Sequence, residues 1–285
     1  MTQNPQFQSV LITGCSSGIG YHVAVRLQQI GYQVIATARK AEDVEQLRAQ
    51  GLSALQLDLD SSQSIQQAFS QTMELTGGKL YALFNNGAYG QTGAVEDLSR
   101  EVLRAQLETN LLGWHELTRL ALPVMRRQGE GRIIYNSSVL GFVSMAYRGA
   151  YNCSKYALEG LVDTLRLELE GTGIYFSLIE PGPIESKFRQ NALVKFRENI
   201  DVENSVHKPE YEAQLARLQK QGPAAPFTLP PEAVLKRVVH ALQSRRPKVR
   251  YPVTFPTYLF AFLKRILTHR ALDKMLIHAS GGGKR

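Results

Sequence analysis

"SVLITGCSSGIG", residues 9–20, runs a strand-forming segment straight into a loop of glycine and serine and then into a helical start. Ile19, Val23, Leu27 and Ile30 recur beyond it at helical spacing, and Gly31 stands where a helix cap is expected. Strand, tight turn and helix are the opening of a βαβ unit, whose turn aims backbone N–H groups from a helix N-terminus at a phosphate. Gly14, Gly18 and Gly20 permit the turn and the close approach of a pyrophosphate, with Ser16, Ser17 and Ile19 completing the expected cofactor loop. The spacing is G-x-x-x-G-x-G, not G-x-G-x-x-G, and the plain alternative is a βα loop that holds no ligand.

Outward from this loop the same alternation continues. "QVIAT" (33–37), "SALQL" (53–57), "LYALF" (80–84), "RIIYNS" (132–137) and "YFSLI" (175–179) are short and almost wholly apolar, as strands buried on both faces of a parallel sheet must be. Helical stretches lie between them, at 60–75 and as one long run at 98–128. Repeated βα units specify a single-domain α/β fold, a doubly wound parallel sheet (Rossmann fold) with helices on both faces. Residues 1–252 are assigned to this domain, with 185–227 as an insertion over the sheet edge. Residues 253–285 form a C-terminal extension, in which 257–278 is expected to be a basic amphipathic helix.

The second strand bears on the nucleotide. An acid at its end would bind a ribose 2′-hydroxyl, whereas an arginine accommodates a 2′-phosphate. Here the strand runs into Arg39 and Lys40, with no acid before Glu42. The expected cofactor is therefore NADP, against the alternative that Arg39 is a chance surface residue. Asp58, after the third strand, could accept from an adenine amino group or merely cap the next turn.

Composition removes several classes. The 285 residues are 44% apolar and 20% charged, which suits a globular enzyme rather than a disordered chain. Two cysteines are too few for a disulfide framework, so a reducing, cytoplasmic setting is expected. The N-terminal residues carry no signal-peptide pattern, and the apolar stretch at 251–263 is too short to span a bilayer, which takes about 20 residues. Net charge is +8, yet residues 245–285 hold ten Lys/Arg against Asp273 alone, leaving the body slightly negative. A nucleic-acid partner is not expected, since that calls for a basic face across the domain. The six histidines show no ligand spacing, and no metal is expected. No G-x-S-x-G hydrolase pattern occurs.

Tyr151 and Lys155, in "YNCSK", are one helical turn apart and share a face. An ammonium beside a phenol favours the phenolate and draws its pKa down toward the working range. Twelve tyrosines and twelve lysines give about 0.5 such pairs by chance, so the pair alone is weak. Cys153, between them, faces elsewhere and is read as packing.

Together these segments resemble the short-chain dehydrogenase/reductase family over roughly residues 8–245. "TGCSSGIG" (13–20) matches its glycine motif. "FNNGAYG" (84–90) is similar to its Asn-Asn-Ala-Gly motif, with Gly87 and Ala88 in swapped order. "NLLG" (110–113), "YNSSV" (135–139) and "EPGPI" (180–184) match further segments, and Ser186 stands where the family often has threonine. The resemblance implies a catalytic set of Asn110, Ser138, Tyr151 and Lys155. Tyr151 would give its proton to a carbonyl oxygen that Ser138 also binds, and Lys155 would lower the phenol's pKa and bind the nicotinamide ribose. Asn110 would hold a water leading to Lys155, or would only kink its helix; Ser137 is the alternative hydroxyl. Asn86, Pro181, Gly182 and Ile184 join the implied cofactor site. "LGFVSMAYRG" (140–149) is expected to line the substrate site through Phe142, Val143, Met145 and Tyr147, under a lid carrying Phe188.

The chain is most similar to bacterial members of the retinol- and 17β-hydroxysteroid-dehydrogenase-like branch. The expected activity is NADPH-dependent reduction of a lipophilic aldehyde or ketone. The alternatives are oxidation of a steroid- or retinoid-like alcohol and, less favoured, a non-catalytic nucleotide sensor. The sequence leaves a homo-oligomer open. It also leaves open whether the tail's apolar stripe packs over the pocket, the favoured reading, or lies peripherally on a membrane.

Overall fold

The computed structural model describes residues 8–220, 222 and 225–279. The expected loop does open a βαβ unit. Strand β1 (Ser9–Ile12) leads through it to α1 (Gly18–Gln29), and β2 (Gln33–Ala38), α2 (Ala41–Ala49), β3 (Ser53–Gln56) and α3 (Ser62–Leu75) complete the first half. The second half carries β4 (Ala82–Asn85), α4 (Arg100–Leu107), α5 (Gly113–Gln128), β5 (Gly131–Asn136), α6 (Gly149–Glu168) and β6 (Ile174–Glu180). Then come α7 (Phe188–Asn199), α8 (Lys208–Gln219), α9 (Glu232–Gln243), β7 (Arg250–Pro252), α10 (Phe255–Ile266) and α11 (His269–Ala279).

All strand pairings are parallel, in the order β3-β2-β1-β4-β5-β6-β7. Side chains alternate between two cores. Val10 and Ile12 pack with α1 and α9 on one face, while Leu11 packs with α3 and α5 on the other. Because the chain winds outward from β1 in one direction and from β4 in the other, a crevice opens at the carboxyl ends of these two strands. The glycine loop sits there.

Three departures from the sequence reading have physical causes. The long helix expected at 98–128 is interrupted by a π turn, Glu108–Leu112, between α4 and α5. Within it the buried Asn110 side chain bonds outward to Tyr89 and Ser154. The tail is two helices, because Leu267 is extended (φ −90°, ψ 147°) where the single helix expected over 257–278 would continue. Strand β7 escaped the sequence reading: it is three residues long, ends in Pro252, and pairs on one side only, at the sheet edge where proline is tolerated.

Residues 185–227 contain α7 and α8, which enclose a small core of Ala192, Phe196, Tyr211 and Leu218. Tyr147 belongs to this core, edge-on to His207 and Tyr211, and not to the substrate wall on which the sequence reading placed it. Positions 221, 223 and 224 of the insertion, 280–285 of the tail and 1–7 of the body lie outside the described residues. No helix among the described residues is long and apolar enough to cross a membrane.

Candidate active site

The glycine loop is built by mutual approach of bare backbones. Gly14 adopts φ +70°, and a Cβ there would lie 2.5 Å from the Gly87 Cα. Gly20 is closed off too, since a Cβ would run into the Gly14 carbonyl. The swapped pair at 87–88 therefore leaves the contact with Gly14 free of any side chain. Asn86 fixes the arrangement: its side-chain amide donates to the Thr13 and Gly14 carbonyls (3.0 and 3.2 Å) and accepts from Asn136 Nδ2 (2.9 Å). Thr13 Oγ1 accepts from the backbone N–H groups of Asn86 and Gly87, both at 2.8 Å.

The loop suits a bound pyrophosphate. Ser17, the N-cap of α1, makes no side-chain capping bond, and no acid occupies the first turn of the helix. The terminal N–H groups are left for an anion. Cys15 faces inward: its thiol donates to the Ile12 carbonyl (3.3 Å), and burial pushes its pKa up to about 12. Arg39 and Lys40 stand exposed at the end of β2, while Asp58 accepts from the backbone N–H of Asp60 (3.1 Å), as a turn cap does. Pro181, whose carbonyl accepts from the Val139 N–H (2.9 Å), Gly182 and Ile184 follow β6 toward the same crevice.

On the other side of the crevice lie the phenol, the hydroxyl and the ammonium. Ser138 caps the short 3₁₀ turn Val139–Gly141, accepting from the Leu140 N–H (3.1 Å). Tyr151 and Lys155 come from the first two turns of α6, the same helix face bringing them together. The Lys155 Nζ donates to the Asn136 carbonyl (2.8 Å), lies 4.3 Å above the Trp114 ring and is 5.6 Å from the Tyr151 ring centre. Burial draws its pKa down to about 7, against the opposing pull of Glu159. Burial also pushes the Tyr151 phenol up to about 12, and a hydrogen bond with Ser138 offsets only part of this. Where the sequence leads one to expect a Tyr151 pKa drawn down by its neighbour, desolvation instead raises it.

The two serines divide. Ser137 Oγ donates to Glu159 (2.5 Å), so Ser138 is left as the hydroxyl beside Tyr151. Cys153 is exposed and takes no part. The Asn110 amide is engaged at the π turn by Tyr89 and by Ser154, the latter on α6 between Tyr151 and Lys155.

An apolar wall closes the site. Phe142, Met145 and Tyr151 pack against Val139, Leu140, Val143 and the tail residues Phe260, Leu272 and Leu276. Phe188 of α7 meets the Tyr151 ring edge-on at 5.3 Å, a contact Gly90 permits because a Cβ there would strike the Phe188 ring.

Sequence reasoning missed the group behind the site. Arg250 of β7 reaches Glu159 (3.1 Å), Asp163 (2.7 Å) and Glu180 (3.3 Å). Three carboxylates share one guanidinium, Glu159 and Glu180 buried and Asp163 and Arg250 partly open to solvent. Burial, and then the neighbouring Glu159, push Glu180 up to about 8, with Arg250 opposing. The available signal was Glu159, one helical turn beyond Lys155 on α6. Trp114, the single tryptophan, was also overlooked; its indole N–H donates to the Gly87 carbonyl (2.9 Å). Among the described residues no cluster of three or more His, Cys, Asp or Glu is placed to hold a metal ion.

The chain is similar to known proteins in sequence and in fold. A family model described as short chain dehydrogenase matches residues 8–195. The uncharacterized oxidoreductase YbbO of Escherichia coli K12 is 44% identical over 269 residues, 94% of each chain. Human 17-beta-hydroxysteroid dehydrogenase type 1 is 34% identical over 257 residues, 86% of this chain and 77% of its own. A short chain dehydrogenase/reductase from Burkholderia phymatum in complex with NAD has the same fold, with TM-score 0.78, 23% identity and coverage of 95% and 96%. With a glycine loop facing a serine, a tyrosine and a lysine on a sheet of this order, and sequence similarity over most of the chain, the protein belongs to the short chain dehydrogenase family of nicotinamide-dependent oxidoreductases.

Proposed function

We propose that the protein is an NADPH-dependent reductase of lipophilic aldehydes or ketones. The observation that carries this reading is the enclosure of Tyr151 and Ser138 by an apolar wall drawn from the 139–145 loop, Phe188 and the tail. Such a wall holds an apolar substrate, and the few polar groups in it fix where a carbonyl oxygen sits.

The bound cofactor would supply the hydride. The chain's own residues do the rest. Ser138 binds and orients the carbonyl oxygen, and Tyr151, which keeps its proton throughout the neutral range, donates it to that oxygen as negative charge develops. Lys155, fixed by the Asn136 carbonyl and the Trp114 ring, stands where a positive charge favours loss of the phenolic proton. Gly14, Ser16, Ser17, Gly18, Ile19 and Gly20 would cradle the pyrophosphate, and Arg39 with Lys40 the 2′-phosphate. Those two exposed cations, without an acid beside them on the strand, are the support for NADPH over NADH.

The oxidative alternative, acting on a steroid- or retinoid-like alcohol, is supported by the printed names of two relatives. They are the 17-beta-hydroxysteroid dehydrogenase and human retinol dehydrogenase 8, the latter 36% identical over 198 residues. NADPH and NADH consumption over aldehydes of increasing chain length, with ketones and a steroid, decides between them. The reductase reading requires kcat/KM to rise with chain length and to favour NADPH. Turnover confined to alcohols with the oxidised cofactor would overturn it.

A further inference from the structure

The tail is apolar on two opposite faces, and the fold buries only one; on the other, the Tyr258 hydroxyl accepts from Arg237 of α9 (3.3 Å) and its ring stays half exposed. Phe260, Leu272 and Leu276 are buried against the 139–143 loop, and Lys264 donates to the Phe142 carbonyl (2.6 Å) from the same side. On the other side of α10, Phe255, Tyr258, Phe262 and Ile266 follow one another at three- and four-residue steps and are 56%, 48%, 60% and 60% exposed. At 100° per residue they fall within one narrow stripe along the helix.

Phe227 extends the ridge. It is 57% exposed and packs its ring on Phe255, centroids 4.9 Å apart, from a backbone at φ +59°, a region bulky side chains seldom adopt. An exposed aromatic held in a strained conformation against another exposed aromatic is not the result of burying either one.

The charge of the tail is almost all of one sign. Arg265 of α10 and Arg270 and Lys274 of α11 are exposed, and Asp273 is the only acid between 245 and 285, against ten Lys/Arg in that stretch. Two copies meeting ridge to ridge would bring these cations together. An anionic headgroup layer would instead meet them with opposite charge, while aromatic and aliphatic side chains enter the headgroup boundary.

We propose that α10 is a peripheral membrane-docking ridge that seats the protein on anionic lipid. Docked in this way, the loop carrying Phe142 and Met145 lies one helix diameter, about 10 Å, beneath the headgroups. On the reading of the substrate as lipophilic, it would enter from the bilayer beside the site.

The test is flotation of the full chain with phosphatidylcholine vesicles and with vesicles containing phosphatidylserine, at low and at high salt, alongside light scattering of the free protein. Binding is expected to the phosphatidylserine vesicles, to weaken at high salt, and to fall by about tenfold or more in F262E/I266E. Both substituted side chains are exposed, and an unchanged melting temperature and NADPH affinity would show an intact fold. F262S alone, with a smaller expected loss, serves if the double variant is unstable. Protein that stays unbound with phosphatidylserine at low salt overturns the proposal, as does binding unaffected by these substitutions. An oligomer of the free protein that F262E/I266E dissociates, without vesicle binding by the wild type, would assign the ridge to a second copy instead. Turnover of a short water-soluble aldehyde is measured separately, so failure of the reductase reading is told apart from failure of docking.

Discussion

Burial keeps Tyr151 protonated at neutral pH, the form from which a proton donor must start. Substituting Tyr151→Phe removes the hydroxyl and keeps the ring that meets Phe188. The expected loss in kcat is about 10²- to 10⁴-fold, the usual share of a general acid, with the dissociation constant for NADPH changed little. Retention of a tenth of wild-type kcat would remove Tyr151 from the proton-donor role. Arg39 is open to solvent at the end of β2, so its substitution tests the nucleotide alone. A charge-assisted contact with phosphate contributes about 1.5–3 kcal/mol, hence Arg39→Ala should weaken NADPH binding by about tenfold or more and leave NADH binding nearly unchanged. Equal weakening of both, read by fluorescence titration, would make Arg39 structural. Residue identity could be read from the sequence here because Ser138, Tyr151 and Lys155 lie in local motifs. Protonation could not, since Lys155 is enclosed by Trp114 and Asn136 and Tyr151 by Phe188 and the tail, all of which come from other segments.

Four elements meet at this ion cluster: Ser137, just past β5, donates to Glu159 of α6, while Arg250 of β7 binds Glu159 and, with Glu180, ties down the end of β6. Each neighbour in sequence matters to the site, Ser138 after Ser137 and Pro181 after Glu180. Glu180 titrates at about 8 in the folded protein, from an ordinary value of 4.5. Between those values the folded chain keeps a proton that the unfolded chain has released. The stability this group provides is full below pH 4.5 and drains away as pH rises to about 8, by at most about 1.4 kcal/mol per pH unit. Glu180→Gln carries no titrating proton, so the difference in Tm, variant minus wild type, should grow from pH 5 to pH 8. A constant difference would mean that Glu180 is ionised throughout. The strands of the sheet core were legible because each is a continuous apolar run. The π turn at Glu108–Leu112 and the three-residue β7 were not: the first depends on the bonds of Asn110 to Tyr89 and Ser154, and the second on pairing with a strand some 70 residues earlier.

For the whole molecule, the tail is part of the fold and not an appendage. Phe260, Leu272 and Leu276 are buried against the loop that follows Ser138. Full burial of such side chains is worth about 1.5–3 kcal/mol each, which together is comparable to the ~5–15 kcal/mol that stabilises a typical domain. A chain ending at Pro252 should therefore melt much lower or fail to fold, as thermal denaturation would show; an unchanged Tm would make the tail dispensable. The sequence showed the apolar positions of this segment without showing that Leu267 divides it or which positions face inward. The cysteines carry a consequence of their own. Cys15 is enclosed within the glycine loop and its thiol is held protonated, whereas Cys153 lies open to solvent. A disulfide reagent should thus label the native protein at one thiol rapidly and at the second only when β1 and its loop part from the sheet. The lag between the two labelling steps is a clock for opening of the nucleotide crevice, and any ligand seated there should slow it in proportion to its occupancy.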